Sequence, residues 1–171
     1  LGGGGIDKAI HDAAGKKLME ACRSLGGCDT GEAKTTSAFN LPCKHVIHAV
    51  GPDYRDFPQR EAEAAVLLRR TYLSALREAK SHSATSVAFP CISTGIFRFP
   101  RDEAALIATG AVREFLETTA DTKVLSTHLL LSISSHPHNP SLLQIQVIFC
   151  LWDKQDEDLY RAALPTFFPL A

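Results

Sequence analysis

The sequence predicts an α/β protein in which helices cover a mixed, mostly parallel central sheet. Two kinds of segment carry the prediction. Short apolar runs such as His45–Val50, Ser86–Pro90 and Val147–Leu151 have strand composition and turn residues at their ends. Between and around them lie longer segments whose apolar positions recur at helical spacing, so strands and helices alternate as in βαβ units. A length of 171 residues, 45% of them hydrophobic, supports one domain with a sizeable core rather than two.

Taken in order, Ile6, Ile10, Ala13, Ala14, Leu18, Ala21, Cys22 and Leu25 share a helical face, interrupted near Gly15 and stopped by Gly26-Gly27. This predicts one kinked helix or two short ones. Thr35 to Phe39 and His45 to Val50 read as strands, the second ending in a Gly51-Pro52 turn. From Glu61 to Lys80, Ala64, Ala65, Leu67, Leu68, Tyr72 and Leu76 form one side of a long amphipathic helix. Ser86 to Pro90 is a short buried strand that leads into a loop, Cys91 to Pro100. Pro100 to Glu117 is helical, with proline near its start and Asp102 and Glu103 where the helix dipole favours acids. Val124 to Gln146, rich in Leu, Ser, His and Pro, breaks the pattern and reads as an unusually long loop. Val147 to Leu151 is the last strand, and Asp156 to Leu164 the closing helix.

Charge and composition remove several function classes. The formal net charge is −1, from 18 basic and 19 acidic residues with no basic block, so direct nucleic-acid binding is not expected. No run approaches the roughly 18 apolar residues of a membrane span, and no secretory signal precedes the glycines, so a soluble protein is expected. Five cysteines (Cys22, Cys28, Cys43, Cys91, Cys150), odd in number and without a CxxC pair, suit reduced thiols inside the cell. Cytoplasm or nucleus is the expected compartment, with the mitochondrion left open. Met19 is the only methionine, so further residues are expected upstream of Leu1.

Two loops carry the chemistry. Gly2-Gly3-Gly4-Gly5 runs directly into the first helix, where glycines allow close backbone approach and unpaired first-turn N–H groups favour anionic oxygens. No Gly-Lys-Ser/Thr follows, and the spacing is not that of a dinucleotide-binding G-x-G-x-x-G. A phosphate-bearing small molecule is the expected ligand. The second loop, Ile92-Ser93-Thr94-Gly95-Ile96-Phe97, leaves the carboxyl end of a strand, where ligands of open α/β sheets collect. Asp7 stands at the loop-to-helix junction, as a first-turn acid that stabilises its helix or as a base toward a ligand. His11 follows four residues later on the same helical face.

An ordered set of motifs extends this reading: Gly2-Gly3-Gly4-Gly5-Ile6-Asp7, Ile10-His11 with Ala13-Ala14-Gly15, Thr30-Gly31-Glu32-Ala33-Lys34, Val46-Ile47-His48-Ala49-Val50-Gly51-Pro52, and Ala88-Phe89-Pro90-Cys91-Ile92-Ser93-Thr94-Gly95-Ile96-Phe97. Together with Asp156 to Tyr160 and Phe168-Pro169, they resemble the macro domain family, in its MacroD-type branch of ADP-ribosyl hydrolases. The resemblance implies a three-layer α/β/α fold binding ADP-ribose in a surface cleft. It also implies that the chain lacks the first strands of the family fold, so residues 1–171 make one incomplete domain with an atypical insertion at about 124–146.

Carried over residue by residue, the resemblance places Gly3, Gly4, Gly5 and Ile6 along the distal ribose and its phosphate. Ser93, Thr94, Gly95, Ile96 and Phe97 would present amides to the diphosphate, with the Phe97 ring on the distal ribose and Trp152 against adenine. Asp7 would position or activate water, while His11 would orient that carboxylate, touch ribose, or serve only the fold. The implied activity is metal-independent removal of mono-ADP-ribose from acidic protein side chains and deacetylation of O-acetyl-ADP-ribose. A reader that binds without turnover, or an inactive truncated fragment, are the alternatives. ADP-ribose and mono-ADP-ribosylated proteins are the implied partners of an expected monomer, with no cofactor. Cys43, His45 and His48 lack a fourth partner for a structural zinc site, so no metal is expected; His136-Pro137-His138 reads as loop.

Overall fold

The computed structural model describes residues 3–119, 124–128, 132–135 and 145–169. Its elements are α1 (Gly5–Ala14), α2 (Lys16–Ser24), β1 (Ala33–Ser37), β2 (His45–Ala49), a 3-10 turn (Tyr54–Asp56), α3 (Glu61–Ser81), β3 (Ser86–Pro90), α4 (Arg101–Thr118), β4 (Val124–His128), β5 (Ser132–Ser135), β6 (Gln146–Cys150) and α5 (Lys154–Phe167). The first helical segment is two helices rather than one kinked one. Gly15 caps both at φ +83°, and a Cβ there would lie 2.9 Å from Asn40 Nδ2, so the left-handed backbone and the close neighbour both require glycine.

Two sheets form among the described residues. In the first, β1 pairs antiparallel with β2. The second runs β3-β6-β5-β4, with β3 and β6 parallel and the other pairs antiparallel. The sheet structure is therefore mixed, but the expected preponderance of parallel pairing is corrected to one pair. The connection from β1 to β2 is too short for a crossover and reverses the chain, whereas α4 lies between β3 and β6 and permits parallel pairing. The expected long loop also needs correction, because 124–128 and 132–135 are strands. β-branched Val124, Thr127 and Ile133 suit that state, a signal hidden by the serines, histidines and prolines around them. The rest of that stretch, His136-Pro137-His138 included, lies outside the described residues.

Strand alternation distributes the core. On β2, Ile47 and Ala49 pack against the main cluster, while Val46 packs on the other side with Ala14, Leu18 and Cys22 of α1 and α2. The main cluster joins Leu68, Tyr72 and Leu76 of α3 to Phe89 of β3, Val147 and Phe149 of β6, and Val112 and Phe115 of α4. Ring pairs of Tyr72 with Phe89 at 5.2 Å and Phe149 with Tyr160 at 4.8 Å fall in the favourable range for tilted aromatics. Layers of helix, sheet and helix result, with α1 and α2 covering only the first sheet.

No ladder joins β2 to β3 among the described residues, so α3 holds the two sheets together. Thr71 Oγ1 donates to the carbonyl of Val50 at 3.2 Å, Ser74 Oγ accepts from the amide of Ala33 at 3.1 Å, and Thr35 Oγ1 donates to Glu78 at 2.6 Å. Two buried polar groups of one helix, Thr71 and Ser74, and half-buried Glu78 bond backbone or side chains in and just beyond both strands, which fixes its register. No described helix is long and apolar enough to cross a membrane.

Candidate functional site

The glycine turn and the second loop meet. Gly4, the N-cap of α1, is so close to the second loop that a Cβ on it would lie 3.0 Å from Ile96 Cδ1. Asp7 sits in the first turn of α1, where its Oδ2 accepts from the amide of Gly3 at 3.0 Å. Its other oxygen, Oδ1, is 3.5 Å from His11 Nε2, outside good hydrogen-bond geometry. The Asp7 side chain is 47% exposed, whereas that of His11 is 6% exposed, so the carboxylate faces solvent and the imidazole backs it.

The second loop is built by strain and close packing. Ser93 has φ +65°, and its carbonyl accepts from the amide of Phe99 at 3.0 Å, closing the loop on buried Phe99. Thr94 Oγ1 donates to the carbonyl of Cys91, the amide of Arg98 donates to Gly95, and the amide of Tyr54 donates to Phe97 at 2.9 Å. Among the described residues, the amides of Ser93, Gly95, Ile96 and Phe97 donate to no protein acceptor. The buried hydroxyl of Ser93 likewise has no partner. Several unpaired donors in one turn form a concave site for anionic oxygens without any lysine.

Some of this support was not singled out from the sequence. Tyr72 reads there as one more apolar position of α3, yet its buried hydroxyl accepts from the amide of Ile92 at 3.2 Å and so pins the start of the loop. Burial pushes the Tyr72 and Tyr160 phenols well up, and pushes the neighbouring Cys91 thiol up to about 12, so this end of the loop rests on neutral groups. Gly51, read as part of a turn and of the motif from Val46 to Pro52, packs against the loop so tightly that a Cβ would come within 2.3 Å of Ser93 Oγ and 2.6 Å of Ile92 Cγ2. Its place directly beyond the strand end was the available signal.

The aromatic expected against the base stands apart from the loops. Trp152 is 89% exposed, just past the end of β6. Pro90 of β3 pairs with Cys150 of β6 in the parallel ladder, so Trp152 and the second loop leave neighbouring strands at the same edge. Arg101 reaches Asp153 at 2.9 Å and Asp156 at 3.3 Å, fixing the turn that presents the indole. The amide of Asp156, followed by the Arg101 guanidinium, holds the Asp153 carboxyl below the usual range. Ile6, Ile96 and Phe97 are exposed as well, at 56%, 61% and 38%, an apolar rim around the donors.

The three side chains weighed for zinc do not converge. Cys43 bonds the carbonyl of His45, and the ring of His45 lies 4.9 Å from that of His82 at the end of α3. Three residues on along β2, His48 faces the other way, toward α2 and β1, because successive strand side chains alternate. There His48 Nε2 is 2.9 Å from Thr36 Oγ1 and 3.5 Å from Cys22 Sγ. Burial, then the nearby His11, pushes the pKa of His48 down.

A glycine turn and a first-turn acid set against an amide-rich loop that leaves the carboxyl end of a strand are the parts of an anion-binding α/β module. The chain belongs to the macro domain family, described as Macro domain, whose sequence model matches residues 1–108. It is 43% identical to the rat protein named ADP-ribose glycohydrolase MACROD1, over 100% of this chain and 57% of that protein. A macro domain-containing protein of Ralstonia nicotianae is 54% identical over 96% of this chain and 80% of its own length. Among solved structures, the Trypanosoma brucei macrodomain in complex with ADP-ribose is 32% identical with a TM-score of 0.72, covering 96% of this chain and 58% of that one. The chain thus spans about half the length of the MACROD1 relatives it matches, 57% of the rat protein and 46% of the mouse one.

Proposed function

We propose that this chain binds ADP-ribose and hydrolyses the ester that joins it to acidic protein side chains, and likewise the acetyl ester of O-acetyl-ADP-ribose. The observation that carries the reading is the contact between Gly4 and Ile96, which puts Asp7 beside the loop of unpaired amides. The names of the relatives, glycohydrolases and a macrodomain in complex with ADP-ribose, support it.

In this reading the amides of Ser93, Gly95, Ile96 and Phe97 hold the diphosphate, which needs no lysine and agrees with a net charge of −1. The distal ribose then lies between Phe97 and the Gly3-Gly4-Gly5-Ile6 turn, and Trp152 offers its exposed face to adenine. For the protein ester, water attacks the anomeric carbon of the distal ribose, Asp7 accepts the water proton, and the bond from that carbon to the ester oxygen breaks, so the protein carboxylate leaves as its stable anion. For the acetyl ester, water adds to the acyl carbon with Asp7 again taking its proton, and that proton passes to the departing ribose oxygen as the acyl C–O bond breaks. Gly3 holds one oxygen of Asp7 and His11 backs the other, which orients the free lone pairs toward solvent. General-base help of this kind contributes about 10²- to 10⁴-fold.

The test is release of ADP-ribose from a glutamate-modified protein by this chain, alongside calorimetric titration with ADP-ribose. Binding with release at a rate proportional to protein concentration is expected. Binding without release would make the chain a reader, and absence of both would make it an inactive fragment.

A further inference from the structure

Behind Asp7, three elements bring together a set of donors that the proposed hydrolysis does not use. His11 of α1, Cys22 of α2 and His48 of β2 each offer a ligand atom, and these atoms all lie within 4.8 Å of one another. His11 and Cys22 are 8% and 5% exposed, and among the described residues neither ring nitrogen of His11 has a hydrogen-bond partner. A buried imidazole with both nitrogens unsatisfied is costly unless something completes it. Cys22 Sγ lies 3.7 Å from His48 Nδ1 and 3.5 Å from Nε2. In a tetrahedral zinc site, bonds of about 2.3 Å to sulfur and about 2.1 Å to nitrogen put S and N about 3.6 Å apart. Since Thr36 Oγ1 occupies His48 Nε2 at 2.9 Å, Nδ1 is the nitrogen free for a metal, and Thr36 would orient the ring from outside.

We propose that His11, Cys22 and His48 form a binding site for a zinc-type divalent cation. One thiolate and two imidazoles select borderline-soft ions over magnesium or calcium. On binding, the Cys22 thiol proton passes to solvent and the sulfur and two nitrogens donate their lone pairs, leaving a fourth position open. The ion ties α1, α2 and β2 together around the small core of Ala14, Leu18 and Cys22. It also places a cation behind His11, whose Nε2 is 3.5 Å from Asp7 Oδ1, and a nearby cation makes that carboxylate a weaker base, so occupancy lowers turnover. That last consequence rests on the hydrolase reading; binding itself does not.

Binding is therefore measured without activity, by zinc and cobalt titration against a chromogenic chelator and by zinc X-ray absorption of the loaded chain. One ion per chain is expected, with one sulfur at about 2.3 Å and nitrogen or oxygen neighbours at about 2.1 Å. Cobalt should give a thiolate charge-transfer band, and magnesium should not compete. Cys22→Ala and His48→Ala should each weaken zinc by more than the roughly 10- to 100-fold that loss of a supporting partner costs. A C43S/C150S double variant, altered only at exposed thiols, should bind as before. If the Cys22 variant fails to fold, the absorption spectrum of the unaltered chain decides alone. No bound ion, a shell without sulfur, or binding lost in the C43S/C150S variant would overturn the site. With the site intact, zinc should slow release of ADP-ribose and a chelator restore it; zinc binding without that effect would overturn only the inhibitory role.

Discussion

At the scale of single residues, the candidate site depends on side chains that are missing as much as on those present. Gly51 lets the end of β2 touch the second loop, and any Cβ there meets Ser93 and Ile92 well inside contact distance. Gly51→Ala must push the loop outward. Overpacking of this kind costs about 1–3 kcal/mol, so urea unfolding should show that loss and calorimetry a weaker ADP-ribose affinity. A variant as stable and as tight as the unaltered chain would show that the loop yields without consequence. Asp7 was legible as a candidate because a carboxylate at a glycine-to-helix junction has two uses, and the structure displays one directly through the Gly3 amide. His48 was legible only as a metal-binding residue type. Its partners Cys22 and Thr36 are 26 and 12 residues away in sequence, and only the folded strand and helix bring them into contact.

At the scale of elements, the helices and strands β1, β2, β3 and β6 followed from local pattern, whereas strands β4 and β5 and the pairing of the strands did not. The long amphipathic stretch became α3 over Glu61–Ser81, one residue longer than its apolar spacing indicates, because such periodicity is a property of the segment itself. Strand orientation depends instead on what lies between strands, which is why, among the described residues, parallel pairing is confined to β3 and β6. That one parallel pair has a functional result, since it brings Trp152 and the second loop to one edge. Trp152→Ala should cost about 1–3 kcal/mol of stacking on the base. Calorimetry should therefore read a roughly 5- to 150-fold weaker Kd for ADP-ribose. Because the indole is 89% exposed, Tm should stay nearly unchanged. Unchanged affinity would remove Trp152 from the adenine site.

At the scale of the whole molecule, two sheets among the described residues share one bridging helix, and the candidate site lies where both contribute: the glycine turn precedes helices packed on the first sheet, and the second loop leaves the other. A ligand touching both loops should stiffen the connection between the halves. At 100 times its Kd a ligand stabilises by about 2.7 kcal/mol, and each kcal/mol raises Tm by about 2–4 °C at this size. ADP-ribose should thus raise Tm by about 5–11 °C. AMP, which reaches neither the distal ribose pocket nor the full diphosphate, should raise it far less at the same concentration. Equal shifts would mean that the two loops do not act as one site.

The central claim is that Asp7 performs chemistry and does more than cap a helix. Asp7→Asn keeps an oxygen for the Gly3 amide but cannot take a proton from water, so it separates the two uses. The decisive measurement is kcat for release of ADP-ribose from a glutamate-linked substrate, taken with the Kd for ADP-ribose, in the unaltered chain and in Asp7→Asn. The account predicts kcat lower by about 10²- to 10⁴-fold with Kd changed little; equal kcat in the two proteins would contradict it.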